Sequence, residues 1–145
     1  MGSVGIYRYQ TGAPLTISGT QVVGRRADQV DGVNPYVAGA PVVDASTGTV
    51  TYLTAAAFTI APTDRLGNAA RGSVRGPGYQ NWDITVRKQI PLKGTVRVQF
   101  EASFYNAFNM LNWQNPSTNL TGSGFGLITA AQPSRQVQLG FRVTF

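Results

Sequence analysis

The sequence predicts an all-β chain: antiparallel up-and-down strands with a short periplasmic turn and long extracellular loops, forming an open C-terminal piece of a transmembrane β-barrel. Three observations lead there. From Gln136 to Phe145 the residues alternate without a fault, with Val137, Leu139, Phe141, Val143 and Phe145 on one side and Gln136, Gln138, Gly140, Arg142 and Thr144 on the other. Side chains of a strand alternate between its two faces, so this strand has one greasy and one wet side, as lipid and water require. Charged residues make up only 12% of the chain, about half the roughly 25% of soluble domains. Connections between the readable strands run long, short, long, as they do in outer-membrane barrels.

Taken in order, the first barrel segment is 1–18. Gly5 to Gln10 is extended, Thr11-Gly12-Ala13-Pro14 ends it, and Leu15 to Ser18 either continues it or forms a short second strand. Residues 19–78 are rich in Gly, Pro, Asn, Asp and Thr and read as a long extracellular loop. Within it Asp44 to Leu53 suits a small hairpin around Thr47-Gly48, and Ala55 to Phe58 a helical turn. Residues 79–145 carry the C-terminal barrel strands, placed at 79–90, 95–108 and 134–145. On the first, Trp82, Ile84, Val86 and Ile90 share a side that Lys88 interrupts; on the second, Val96, Val98, Phe100, Ala102 and Phe104 do. The lipid-facing set is therefore Trp82, Ile84, Val86, Val96, Val98, Phe100 and Phe104. Facing residues share a side of the sheet, so odd polar positions pair with odd ones. Setting Arg87 against Arg97 and Asp83 against Glu101 is disfavoured by like charge. The expected register sets Arg87 opposite Gln99 and Asp83 opposite Ser103, with Leu92-Lys93-Gly94 as the loop and Gly94 left-handed at its end. Tyr79, Trp82, Phe104, Tyr105 and Phe108 then gather at the outer rim and Phe145 at the inner one.

Composition excludes much chemistry. The chain has neither His nor Cys, which removes the usual nucleophile–base pairs and transition-metal sites. The acids Asp28, Asp31, Asp44, Asp64, Asp83 and Glu101 are scattered, and Asp28-Gln29-Val30-Asp31-Gly32 lacks the spacing and closing Glu of a calcium loop. The chain is expected not to be an enzyme and to need no metal or cofactor. The net charge of +6 rests on ten Arg and two Lys. Arg65, Arg71 and Arg75 lie in a Gly-rich stretch without a recognition helix or aromatic platform, which favours solvated or lumen-facing arginines over a nucleic-acid patch. No 18-residue apolar run exists for a transmembrane helix. Met1 to Gly5 shows no signal peptide, so a barrel reading carries the expectation that this is a fragment.

Leu66-Gly67-Asn68, Arg75-Gly76-Pro77-Gly78-Tyr79-Gln80-Asn81-Trp82-Asp83 and Gln99 through Asn109 (Gln-Phe-Glu-Ala-Ser-Phe-Tyr-Asn-Ala-Phe-Asn) together resemble the C-terminal barrel of TonB-dependent outer-membrane receptors. Their Oar-like subgroup, with a carboxypeptidase-regulatory-like domain, is the nearest in kind. Tyr9 to Leu15 resembles an earlier strand-to-loop step of these barrels, and Arg135 to Phe145 their terminal strand. The resemblance implies a Gram-negative outer-membrane location and energised uptake, by the full protein, of a large ligand such as a siderophore, cobalamin or glycan. Such receptors have roughly 22 strands around a plug, and about four to six strands are readable here. Alone, the chain is therefore expected not to transport. The resemblance also implies its partners: outer-membrane lipid, the remainder of the receptor barrel and plug, TonB through the N-terminal part, and the barrel-assembly machinery. That machinery would read Val137, Leu139, Phe141 and Phe145 as a sorting signal, by strand addition. The competing reading is a soluble, secreted β-rich binding module; a third is a strand protein that pairs with itself through bare edges.

Overall fold

The computed structural model describes residues 1–19, 25–38 and 42–145. Parts of the expected 19–78 loop, at 20–24 and 39–41, lie outside the described residues. In chain order the strands are β1 (Gly2–Gln10), β2 (Pro14–Leu15), β3 (Asp28–Gln29), β4 (Val42–Val43), β5 (Val50–Thr51), β6 (Phe58–Thr59), β7 (Val74–Arg75), β8 (Tyr79–Pro91), β9 (Arg97–Tyr105), β10 (Leu127–Ile128) and β11 (Gln136–Thr144). The only helix among the described residues is a 3-10 turn at Ala55–Ala57, capped by the Thr54 hydroxyl. None is long and apolar enough to cross a membrane. The fold is all-β, and every strand ladder is antiparallel.

The four long strands form one sheet in the order β1-β8-β9-β11. The sheet is open, with β1 and β11 as its edges. Gln10 pairs with Tyr79 and Tyr105 with Gln136, so both long connections leave from one end of the sheet. The short turn between β8 and β9 lies at the other end.

The β8–β9 register corrects the sequence reading. Arg87 pairs with Glu101, Thr85 with Ser103 and Gln89 with Gln99; Arg87 does not face Gln99, nor Asp83 Ser103. The shift is two residues, so the parity argument and the two faces survive. Its reason is electrostatic: the Arg87 guanidinium donates to Glu101 at 2.8 Å, an opposite-charge cross-strand pair that the expected register forgoes. The loop moves with it. Leu92 N–H donates to the Val96 carbonyl at 2.8 Å, leaving Lys93-Gly94-Thr95, with Gly94 (φ 73°) in the middle instead of last. Likewise β9 stops at Tyr105, short of the expected 108, because Asn106 adopts φ 51° and turns the chain.

The chain divides into two compact units. The sheet belongs to one, comprising Met1–Gln10, Tyr79–Asn112 and Gln132–Phe145. The other, Thr11–Gly78 with Trp113–Ala131, is built from two-residue ladders around a buried cluster of Ile17, Ala27, Leu53, Ala57, Phe58 and Val74. The small hairpin expected around Thr47-Gly48 is present as β4–β5, closed by Gly48 N–H on the Asp44 carbonyl at 2.7 Å. A sequence reading of this stretch as loop misses its core.

Candidate functional site

The register fixes what each face of the sheet carries. Trp82, Ile84 and Val86 of β8, Val98, Phe100, Ala102 and Phe104 of β9, and Val137, Leu139, Phe141 and Val143 of β11 share one side, joined by Tyr7 and Tyr9 of β1. Phe100 packs on Phe141 across the β9–β11 ladder with ring centroids 5.1 Å apart. Yet Phe100 stays 49% exposed, Phe141 64% and Leu139 78%, so nothing in the sheet's own unit covers this face. Ile84, Val86, Val98 and Phe104 are half-buried by one another, and Trp82 is 36% exposed. Six of the seven residues expected to meet lipid lie on this side of β8 and β9; the seventh, Val96, stands between the Lys93-Gly94-Thr95 loop and β9. An uncovered apolar sheet face of this extent is a surface made for another apolar phase.

Toward the end where the long connections leave, this face becomes aromatic. Tyr7 stacks on Trp82 at 4.7 Å, and Phe108 meets Trp82 edge-on at 6.0 Å. Phe145, 93% exposed, lies beyond the opposite end. Amphipathic rings at strand ends match the girdles of transmembrane barrels.

The opposite face is polar. Arg8, Asn81, Asp83, Thr85, Arg87, Gln99, Glu101 and Ser103 lie on it, with Gln138 and Arg142 of β11. Val4 and Ile6 of β1 also fall here, opposite Thr85 and Asp83, so β1 alternates less cleanly than the other three. Its acids are paired: Glu101 with Arg87, and Asp83 with Arg8 at 3.4 Å.

At the upper end of the polar face a hydrogen-bonded knot holds the chain as it leaves the sheet. Asp83 Oδ1 accepts from Asn81 Nδ2 at 2.8 Å and from the Asn106 N–H at 3.1 Å. Asn106 Oδ1 accepts from Met110 N–H at 2.8 Å, and its Nδ2 donates to the Met110 and Pro133 carbonyls. Asn112 does what a strand neighbour would: its side-chain amide accepts from Gln80 N–H and donates to the Gln80 carbonyl, both at 2.8 Å. It thereby satisfies β8 where β9 has already turned away. These residues border an open cleft of about 310 Å³ that also takes in Arg8, Tyr79 and Tyr105. Sequence reasoning missed this knot, although Asp83 and the Asn106-Ala107-Phe108-Asn109 spacing were its signal: asparagine tolerates the left-handed conformation that both Asn106 and Asn109 adopt.

Two of the three arginines of the 65–75 stretch, Arg65 and Arg75, are held by the fold. Arg65 grips Asp28 through two nitrogens at 2.8 and 2.6 Å, and Arg75 donates to the Gly12 carbonyl at 3.3 Å. The Arg65 guanidinium and then the Asn68 N–H hold the Asp28 carboxyl below its usual range. Asp28 is thus committed to an ion pair, and the described residues contain no cluster of metal-ligating side chains.

Comparison with curated proteins and with solved structures found no match. A family model described as an outer membrane beta barrel domain matches residues 3–138, which takes in β1 but for Gly2, all of β8 and β9, and the start of β11. A sheet with one uncovered apolar side, one polar side and aromatic ends is what such a domain places in a bilayer, and this chain belongs to the outer membrane beta barrel domain family, located in the outer membrane.

Proposed function

We propose that this chain forms the closing strands of a TonB-dependent receptor barrel of the Oar-like kind, whose full protein imports a large ligand such as a siderophore, cobalamin or glycan. The observation that carries the membrane part is the uncovered apolar face of β8, β9 and β11 in a chain of the outer-membrane barrel family. The receptor part rests on the resemblance of the Arg75–Asp83 and Gln99–Asn109 motifs. In this reading Trp82, Ile84, Val86, Val96, Val98, Phe100 and Phe104 meet lipid, and the knot and cleft around Asp83 face the water-filled interior near its outer mouth. The chain has no catalytic role. Plug and TonB contact belong to the receptor's N-terminal part, so uptake is a property of the full protein. Val137, Leu139, Phe141 and Phe145, all exposed on β11 or just beyond it, offer the assembly machinery a strand to add to.

The test is membrane partition of the full chain carrying an added export signal. Outer-membrane recovery of heat-modifiable, detergent-requiring material is expected. A folded monomer in the periplasmic soluble fraction would overturn the reading in favour of a secreted binding module. For the sorting role, deleting Phe145 from the exported protein lowers its outer-membrane level; an unchanged level removes that role.

A further inference from the structure

The apolar face carries one charge. Lys88 pairs with Phe100 in the β8–β9 ladder and therefore stands on the same side as Val86 and Ile90, three residues from the inner end of β8. It is exposed, and among the described residues no carboxylate lies within ion-pair distance of it. The two acids of the sheet, Asp83 and Glu101, are on the other face and already matched by Arg8 and Arg87. A lysine on a lipid-facing side is costly near the bilayer centre and cheap where its ammonium reaches the headgroups. At about 3.3 Å per residue it starts roughly 10 Å from the strand end, within reach of that level by extending along the sheet.

Beside Lys88 the face is notched. Ala102 stands between Phe100 and Phe104 on β9, flanked across the ladders by Val86 and Leu139. The small side chain leaves a groove of about 240 Å³ lined by Val86, Phe100, Glu101, Ala102, Leu139 and Gly140, with Lys88 at its margin and the Glu101 carboxylate taken up by Arg87. Apolar walls suit an acyl chain, and a single unpaired ammonium beside them suits an anionic headgroup.

We propose that Lys88 and the Ala102 notch form a seat for one anionic phospholipid, its phosphate on the Lys88 ammonium and an acyl chain in the notch. The seat rests on the bilayer-facing reading of this side. Lys88 lies on the short-turn side of the notch, with Ala102 two positions deeper along the sheet, so headgroup and acyl chain are ordered as in a lipid of the inner leaflet.

The experiment uses the full chain reconstituted in phosphatidylcholine vesicles with and without phosphatidylglycerol. Flotation reports insertion, and native mass spectrometry of the detergent extract reports retained lipid. The expected result is equal flotation of wild type, Lys88→Gln and Lys88→Arg, with wild type and Lys88→Arg retaining phosphatidylglycerol over phosphatidylcholine by about fivefold. Lys88→Gln abolishes that preference, and Ala102→Leu, which fills the notch, lowers retention of both lipids. Equal retention of the two lipids by wild type, or an unchanged preference in Lys88→Gln, overturns the seat while leaving the membrane reading intact. Failure of every variant to float overturns both.

Discussion

At the scale of single residues, the sheet's upper end depends on asparagines that stand in for backbone. Asn106 combines a left-handed φ of 51° with three side-chain hydrogen bonds while only 6% exposed. Glycine at this position keeps the conformation and loses the bonds, whereas alanine loses both. Each orphaned buried group costs about 1–3 kcal/mol, and the left-handed conformation costs a non-glycine residue without local hydrogen bonding about 1–2 kcal/mol. Asn106→Ala is therefore expected to lower stability more than Asn106→Gly, by roughly 1 kcal/mol once the extra freedom of unfolded glycine is allowed for. Urea midpoints of the detergent-folded protein measure this, and equal losses would show that the turn carries no strain. Asp28 gives a pH prediction in the other unit. Its folded pKa lies below the ordinary value of 3.8, chiefly through the Arg65 hydrogen bonds. A lowered carboxylate stabilises the fold fully above its unfolded pKa, and that contribution disappears as pH falls through the folded value. Amide protection in the Thr11–Gly78 segment, corrected for the intrinsic exchange rate, is therefore expected to fall in wild type as pH drops below about 4, and Asp28→Asn to show less of this change. The Asp44 carboxyl is also lowered, by Ser46, so the difference between wild type and variant is the quantity to read. Identical acid profiles would mean that the Arg65 pair contributes nothing.

At the scale of elements, the strands were legible because period-two alternation is a local signal that a short window carries. Val137 to Phe145 shows it without interruption, and the observed β11 is Gln136–Thr144. The β8–β9 register was less legible. Avoiding Arg87 against Arg97 excluded one pairing, but choosing among the rest required weighing the attraction of Arg87 for Glu101, and that attraction decided. The core of the other unit was not legible at all. Ile17, Leu53 and Val74 lie far apart in the sequence and meet through two-residue ladders and isolated bridges, too short to impose any periodicity. The faces of the long strands give a direct test. Phe100→Arg puts a guanidinium on the apolar side opposite Lys88 and at its depth, where the charge costs less than the about 2–4 kcal/mol of the bilayer midplane but adds to a like-charge contact of about 0.2–1 kcal/mol and the lost Phe141 packing of about 0.5–1.5 kcal/mol. Gln99→Arg faces Arg142 across the β9–β11 ladder, and such a like-charge contact costs only about 0.2–1 kcal/mol. The Phe100 variant is expected to be the less stable by at least about 1 kcal/mol in vesicles; equal loss would mean that both faces see water.

At the scale of the whole molecule, the decisive fact is that the sheet is open. β1 and β11 each present a nine-residue outer edge without a strand partner among the described residues. In hydrocarbon each unsatisfied backbone group costs several kcal/mol, so in a bilayer the edges of this sheet are met by further strands, from the rest of a barrel or from other copies of the chain. The even strand count matters here: β1 and β11 run in opposite directions, and Tyr7 and Tyr9 of β1 share a face with Val137, Leu139, Phe141 and Val143 of β11. Strands added at either edge in an up-and-down order therefore extend both faces without a change of side. The receptor reading assigns those neighbours to the rest of the barrel. Hydrogen exchange separates this from self-pairing. With the chain alone in detergent, outward amides of β1 and β11 are expected to exchange fast while those of β8 and β9, bonded on both sides, are protected. Folding together with the upstream barrel strands protects the edges. Edge protection in the chain alone, rising with its concentration, would instead show copies pairing through β1 and β11, and would replace receptor closure by self-closure.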